Sequence, residues 1–251
     1  MRALVCQLLA VSGFVMMLVP QAWALEGQEI HFNVSVNGYP PYTIVDEGDN
    51  ISGLMWQVLA TYVREHGGEL IPHELPSRRV EPFLMEGEID VSMRAIEWTD
   101  DPGRFRFTDP VVTTRDMIVR PANQAVAYEG PESIVGKRVL AQLGFSYPVF
   151  DELVAQNQVE RVDVRSEKEV LRRLRDGSHF DAAIMDYHVA RWIINRNGWE
   201  GDFHISEEPV SSAEYRLMFR SKREHLVEQF NEWLEAFRKS GDLQAIEEEY
   251  R

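Results

Sequence analysis

Two hydrophobic periods alternate along most of this chain, and that alternation limits the folds open to it. Apolar residues recur every second position in short runs and every three to four positions in the runs between, so strands and helices take turns. The first series predicts a strand over His31–Val36, a helix over Leu54–His66 closed by Gly67-Gly68, and a strand over Glu69–Glu74. It continues with a helix over Arg79–Glu86, where Pro82 is tolerable only in a first turn, and a strand over Asp90–Arg94. The second series predicts strands at Arg138–Gln142, Glu160–Val164 and Phe180–Met185, with helices at Tyr147–Ala155, Ser166–Arg175 and Asp186–Arg196 between and after them. Ser166 with Glu169 reads as a capping box, and two helices, Lys222–Lys239 and Leu243–Tyr250, follow near the end. Repeated strand–helix units imply mostly parallel sheets with helices on their faces, an α/β fold. Such sheets bind ligands at the carboxyl ends of their strands. Leu84-Met85-Glu86-Gly87-Glu88-Ile89-Asp90 is echoed by Leu174-Arg175-Asp176-Gly177 leading to Phe180-Asp181, which suggests two similar halves, although such a helix-to-strand turn is common.

The first 24 residues suggest export. Arg2 precedes an almost uncharged apolar run from Ala3 to Pro20, and Ala22-Trp23-Ala24 has the small-x-small pattern of a cleavage site. The run is shorter than the ~20 apolar residues of a membrane-spanning helix, so residues 1–24 are read as a signal peptide and the periplasm as the destination. Cys6 lies too early to be a lipid-anchor cysteine, and cleavage removes the chain's only thiol. The remaining chain is expected to rely on its core rather than on disulfides, and its length suffices for one or two cores. The formal net charge is −15. That balance argues against nucleic-acid binding, which needs a basic footprint.

Four further stretches occur in a meaningful order. They are Tyr39-Pro40-Pro41-Tyr42-Thr43 with Gly53-Leu54; Leu84–Asp90 leading to Phe107-Thr108-Asp109-Pro110; Gly136-Lys137-Arg138-Val139 with Gln142-Leu143-Gly144; and Phe180-Asp181-Ala182-Ala183-Ile184-Met185-Asp186. Together they resemble the bacterial extracellular solute-binding proteins of family 3, the polar amino-acid-binding type, over nearly the whole of the chain after residue 24. The resemblance implies a type II periplasmic-binding-protein fold with two lobes, each a mostly parallel sheet flanked by helices. Lobe 1 would comprise residues 25–113 and 214–251. Lobe 2 would comprise 114–213, including hinge strands near Thr114–Val119 and Ser211–Leu217. It also implies a monomeric carrier that closes on a small polar, carboxylate-bearing molecule, an amino acid or a related compound, for an ABC permease.

Site residues follow from the same resemblance. Asp186 stands where the family binds an α-ammonium, and it equally suits a helix N-cap. Ser146 matches a hydroxyl that meets the ligand carboxylate at a helix start, whereas Phe145 replaces a neighbouring Thr. Tyr39 matches an aromatic that packs over the ligand, or it stiffens the Tyr-Pro-Pro turn. The family's carboxylate-binding Arg is absent, because that position is Asp101. A carboxylate needs a guanidinium fork, and Arg94 is the nearest replacement, with Arg78 or Arg79 as further contacts. Alternatively Arg94 pairs with Glu97 or Asp101 at the rim. Met55 and Trp56 follow Gly53 where many amino-acid binders carry an acid, and they read as helix packing.

Other functions have less to stand on. Cyclic-acid dehydratases share the fold, and Glu97, Asp186 and Glu208 could supply a general acid by location, but none lies in a catalytic motif. The seven histidines show no metal-binding spacing, so neither metal nor cofactor is expected. A sensing or accessory protein docking on a membrane partner would carry the same signature as a nutrient carrier.

Overall fold

The computed structural model describes residues 25–36, 38–124, 128–177 and 179–250. The proposed signal peptide, residues 1–24, lies outside the described residues.

Apolar runs become the inner strands. β1 (Glu29–Ser35) pairs in parallel with β4 (Glu69–Leu75) and β5 (Val91–Arg94). In the other half, β8 (Arg138–Gln142) pairs in parallel with β9 (Glu160–Val164) and β10 (Ala182–Asp186). β10 is buried throughout, as a near-continuous apolar run requires when both faces of a parallel sheet are covered.

Two ten-residue strands, β7 (Val112–Pro121) and β12 (Ser211–Arg220), join the halves. Their near ends pair antiparallel with each other, Val112–Asp116 against Ser211–Tyr215. Farther along, β12 pairs with β5 and with β6 (Phe105–Phe107), while β7 pairs with β10 and with β11 (Phe203–Ile205). The sheet order is β4-β1-β5-β12-β7-β10-β8-β9. It is parallel toward both edges and antiparallel through the joining strands. A small hairpin, β2 (Ile44–Val45) with β3 (Ile51–Ser52), follows β1.

The helices cover the faces with apolar stripes. α1 (Leu54–Glu65) buries Leu54, Met55, Val58, Leu59, Tyr62 and Val63. Trp56 rests 6.0 Å from the Phe32 ring, so this stretch packs as expected. α4 (Glu167–Asp176) buries Val170, Leu171 and Leu174. The remaining helices are α2 (Ser77–Glu86), α3 (Pro148–Ala155), α5 (Tyr187–Asn197), α6 (Glu224–Ser240) and α7 (Asp242–Glu249).

Two local expectations need correction. α2 starts at Ser77, earlier than expected, so Pro82 lies beyond its first turn and removes an internal donor. Ser166 accepts the Glu169 backbone N–H at 3.4 Å, but the Glu169 carboxylate turns to Arg172 and Arg173, so only half of the capping box forms. The internal echo, in contrast, is structural. Asp90 donates its N–H to the His31 carbonyl and accepts the His31 N–H on its carboxylate; Asp181 repeats both bonds with Arg138. The Asp90 carboxylate also holds Arg220 and Arg223, which fixes it as a structural acid.

Gly53 positions the loop that matters most below. Its φ is 110°, and a Cβ there would lie 2.6 Å from the Tyr42 carbonyl oxygen. That carbonyl accepts the Met55 N–H at 2.9 Å, which locks the Tyr39–Tyr42 turn onto the start of α1. Gly53→Ala should therefore cost about 1–3 kcal/mol and lower the thermal midpoint by several degrees. An unchanged midpoint in a thermal melt would contradict this close approach.

Candidate functional site

The two halves meet at an aromatic and acidic junction beside the joining strands. Tyr39 and Tyr42 come from the turn after β1, held by a Tyr39–Thr43 bridge. Their rings stack with centroids 5.5 Å apart. Tyr42 is fully buried, and its hydroxyl reaches Asp186 at the carboxyl end of β10, donating at 2.9 Å to Oδ2. The Thr114 hydroxyl, on β7, also bonds to Asp186 Oδ2. From the other side, the Val189 N–H of α5 donates to Asp186 Oδ1 at 3.0 Å. Asp186 is thus both the N-cap of α5 and a meeting point of the two halves.

More rings complete the junction. Tyr215 on β12 meets Tyr42 edge-on at 4.8 Å, and Trp98 meets Tyr215 at 5.4 Å. Phe145, after β8, lies 5.8 Å from Tyr39. Tyr39 therefore touches both halves.

A row of polar groups runs beneath the rings. Side chains alternate across a strand, so Thr114 and Asp116 share one face of β7. Asp116 stands opposite Asp186 on one neighbouring strand and opposite Ser211 on the other, and accepts the Ser211 hydroxyl at 2.5 Å. Directly opposed like charges are unfavourable. Burial is the largest influence on both carboxyls: it raises Asp186 to about 7, with Asp116 adding repulsion, and raises Asp116 to about 6. Glu167, at the start of α4, is also raised by burial, and one of its oxygens is buried without a partner. No Lys or Arg figures among the influences on these three acids.

The other expected site residues are placed differently. Ser146 is exposed at the start of α3, where its hydroxyl lies 3.1 Å from Asp151, and the Tyr147 N–H donates to the same carboxylate at 2.8 Å. Arg94, at the end of β5, donates to the Trp98 carbonyl and lies 4.0 Å from Glu81. The rim pairing expected with Glu97 or Asp101 is therefore replaced by Glu81, because α2 brings that acid beside β5. The Arg94 Nε is buried without an acceptor. Arg78 and Arg79 are exposed on the first turn of α2, and no hydrogen bond or ion pair among the described residues ties them to the junction. Glu97 and Glu208 are exposed, unlike Asp186.

Sequence reasoning missed Tyr42, Thr114, Asp116, Glu167 and Tyr215. The signal for Thr114 and Asp116 was their alternate spacing on one strand. Tyr42 lay in plain view in the Tyr-Pro-Pro-Tyr turn but reads as an ordinary core aromatic.

An open hollow of about 590 Å³ is lined by Arg115, Met117, Tyr187, Arg191 and Phe203 among others. Arg115 and Met117 lie on the opposite face of β7 from Thr114 and Asp116, so this hollow is separate from the junction.

A family model for the bacterial extracellular solute-binding proteins, family 3, matches residues 33–251. The chain belongs to that family. The L-cystine-binding protein TcyJ of Escherichia coli (strain K12) is 22% identical over 216 residues, covering 84% of this chain and 79% of the relative. A mutant of ArgBP from T. maritima superposes with a TM-score of 0.71 at 26% identity, covering 88% of this chain and 94% of the other. A histidine kinase sensor domain with similarity to periplasmic binding proteins reaches a TM-score of 0.73 at 20% identity, covering 90% and 96%. The fold is the two-lobed type II periplasmic-binding fold, and the named relatives TcyJ and ArgBP are binding proteins.

The raised carboxyl at Asp186 has a consequence for stability. A buried acid with a folded pKa of about 7 against an ordinary value of 3.8 keeps its proton longer in the folded state. Folding is then most favoured below about pH 4, and that advantage is lost as pH rises through 7. Asp116 acts with the same sign. Asp186→Asn removes one of these titrations, so in ligand-free melts the wild type should lose ground relative to the variant between pH 4 and pH 8. A difference independent of pH would contradict the shift.

Proposed function

We propose that this protein is a periplasmic carrier that closes its two lobes around a small polar molecule, an amino acid or a related compound, at the Tyr39–Tyr42–Asp186 junction. The observation that carries this reading is the Tyr42–Asp186 bond. It draws together a turn of one half and a strand end of the other, flanking the two joining strands. A solute that replaces the Tyr42 hydroxyl on Asp186 and lies among the rings would favour the closed form by its differential contacts with that form.

On this reading lobe 1 is residues 25–113 and 214–251, lobe 2 is residues 114–213, and β7 and β12 act as hinges. Tyr39 and Asp186 are the main contacts. Arg94, Ser146, Arg78 and Arg79 are peripheral ones at the rim. The chain is exported through a cleaved signal peptide, acts as a monomer without catalysis, and delivers its solute to an ABC permease. The occurrence of the same fold in a sensor domain makes a membrane sensor the alternative partner.

Native mass spectrometry of residues 25–251, followed by thermal-shift screening of amino acids and amines, tests the proposal. A solute at 100 times its Kd adds about 2.7 kcal/mol, which should raise the midpoint by roughly 5–10 °C. No copurified small molecule and no shift with any compound would count against solute trapping.

A further inference from the structure

The chemical class of the solute can be read from which charges the junction already satisfies. Three helices of the second half begin near the carboxyl ends of its strands, and helix starts ordinarily receive a ligand's carboxylate or phosphate. Here each start carries the protein's own acid. Asp186 accepts the Val189 N–H at the start of α5. Asp151 accepts the Tyr147 N–H at the start of α3, with the Ser146 hydroxyl against the same oxygen. Glu167 occupies the first turn of α4. A ligand anion arriving at any of them would find a carboxyl of the protein already there.

The opposite wall offers an anion little more. Residue 101, which the resemblance assigns to the family's guanidinium, is Asp. The Arg94 guanidinium is directed to the Trp98 carbonyl and to Glu81, which leaves its buried Nε without an acceptor.

Two buried acceptors, by contrast, lack donors. Besides Asp186 and Asp116, both at least nine-tenths buried, Glu167 Oε1 and the side-chain oxygen of Gln142 are buried without a hydrogen-bond partner. Gln142 lies against Glu167 at the carboxyl end of β8. Buried acceptors left without donors are costly. Asp186 ends β10, Gln142 ends the neighbouring β8, and Glu167 opens the helix that follows β9 on the other side of β8, so these groups gather at one end of the sheet. Around them stand the faces and edges of Tyr39, Tyr42, Phe145 and Tyr215, and aromatic faces attract cations. Unsatisfied acceptors call for N–H donors, which a fully alkylated ammonium lacks.

We infer that the solute is an N–H-bearing organic cation without a carboxylate: a small amine, diamine or guanidine, held by Asp186 and Glu167 among the aromatic rings. This rests on the solute-trapping function proposed above and narrows it. Asp186 and Glu167 would each accept from the ligand nitrogen, whose charge offsets the acids that lack a protein cation. The strongly acidic chain would also draw cations toward it.

Calorimetric titration of residues 25–251 with matched pairs tests the assignment: putrescine against ornithine, cadaverine against lysine, and agmatine against arginine. Each pair shares its cationic end and differs by the carboxylate. At least one amine should bind at least tenfold more tightly than its parent amino acid. Asp186→Asn and, independently, Glu167→Gln should weaken that amine at least tenfold, with thermal melts confirming that each variant is folded. Should one variant fail to fold, the other carries the test. Amino acids that bind as well as or better than every amine would overturn this assignment and leave solute trapping standing. Binding by neither series would overturn the assignment, and if the broader screen and native mass spectrum are also blank, solute trapping falls with it. An amine that binds equally well to both folded variants would remove these acids from the site.

Discussion

The bond between the Tyr42 hydroxyl and the Asp186 carboxyl is the contact on which the arrangement of the two halves turns. Asp186 ends β10 and caps α5, so it belongs rigidly to one half. Tyr42 is fixed by Gly53 and the start of α1 to the other. Thr114, on a joining strand, bonds to the same carboxyl. Neutral donors, the Tyr42 and Thr114 hydroxyls and the Val189 and His188 N–H groups, therefore surround this carboxyl, and among the described residues no Lys or Arg forms an ion pair with it. Such a group is tolerated in the interior by keeping its proton over a wider pH range, which is what a pKa near 7 expresses. A cationic ligand would reverse the balance: it would ionise the acid and strengthen every bond to it.

The same economy explains the departures from the family pattern. An amino-acid binder must satisfy an ammonium and a carboxylate at once. By the resemblance, Asp186 is the acid for the ammonium and Asp101 falls at the position of the carboxylate's guanidinium; the helix starts carry Asp151, Glu167 and Asp186. Phe145, in place of a hydroxyl, contributes a ring against Tyr39. Each change lowers the affinity for an anion or raises that for an apolar, cationic body.

Much of this was legible in the sequence, for definable reasons. Apolar periodicity located β8 and β9 to the residue and α1 and α5 to within one residue at each end, because both sides of the pattern are enforced by burial. Pro82 misled, since the position of a proline shows what a helix loses there but not where the helix must start. Asp186 was singled out by the motif resemblance of its strand end, and its N-cap role was legible from an Asp standing just before a helix. Asp116 and Thr114 were not, because they lie within a joining strand whose partners come from both halves, and a one-dimensional pattern does not show which residues face each other across it. Arg94 was located on the correct strand end, but its partner Glu81 comes from a helix whose packing no local period encodes.

The most direct measurement is the proton balance of binding. Calorimetric titration with the tightest-binding amine near pH 6, in two buffers of different ionisation enthalpy, reports the protons exchanged. If the ligand nitrogen sits on Asp186, a carboxyl mostly protonated at that pH must ionise, and binding should release close to one proton. The release should fall as pH rises through 7 and be smaller in Asp186→Asn. Binding without proton release near pH 6 would show that the cation rests elsewhere, and the junction would lose its role.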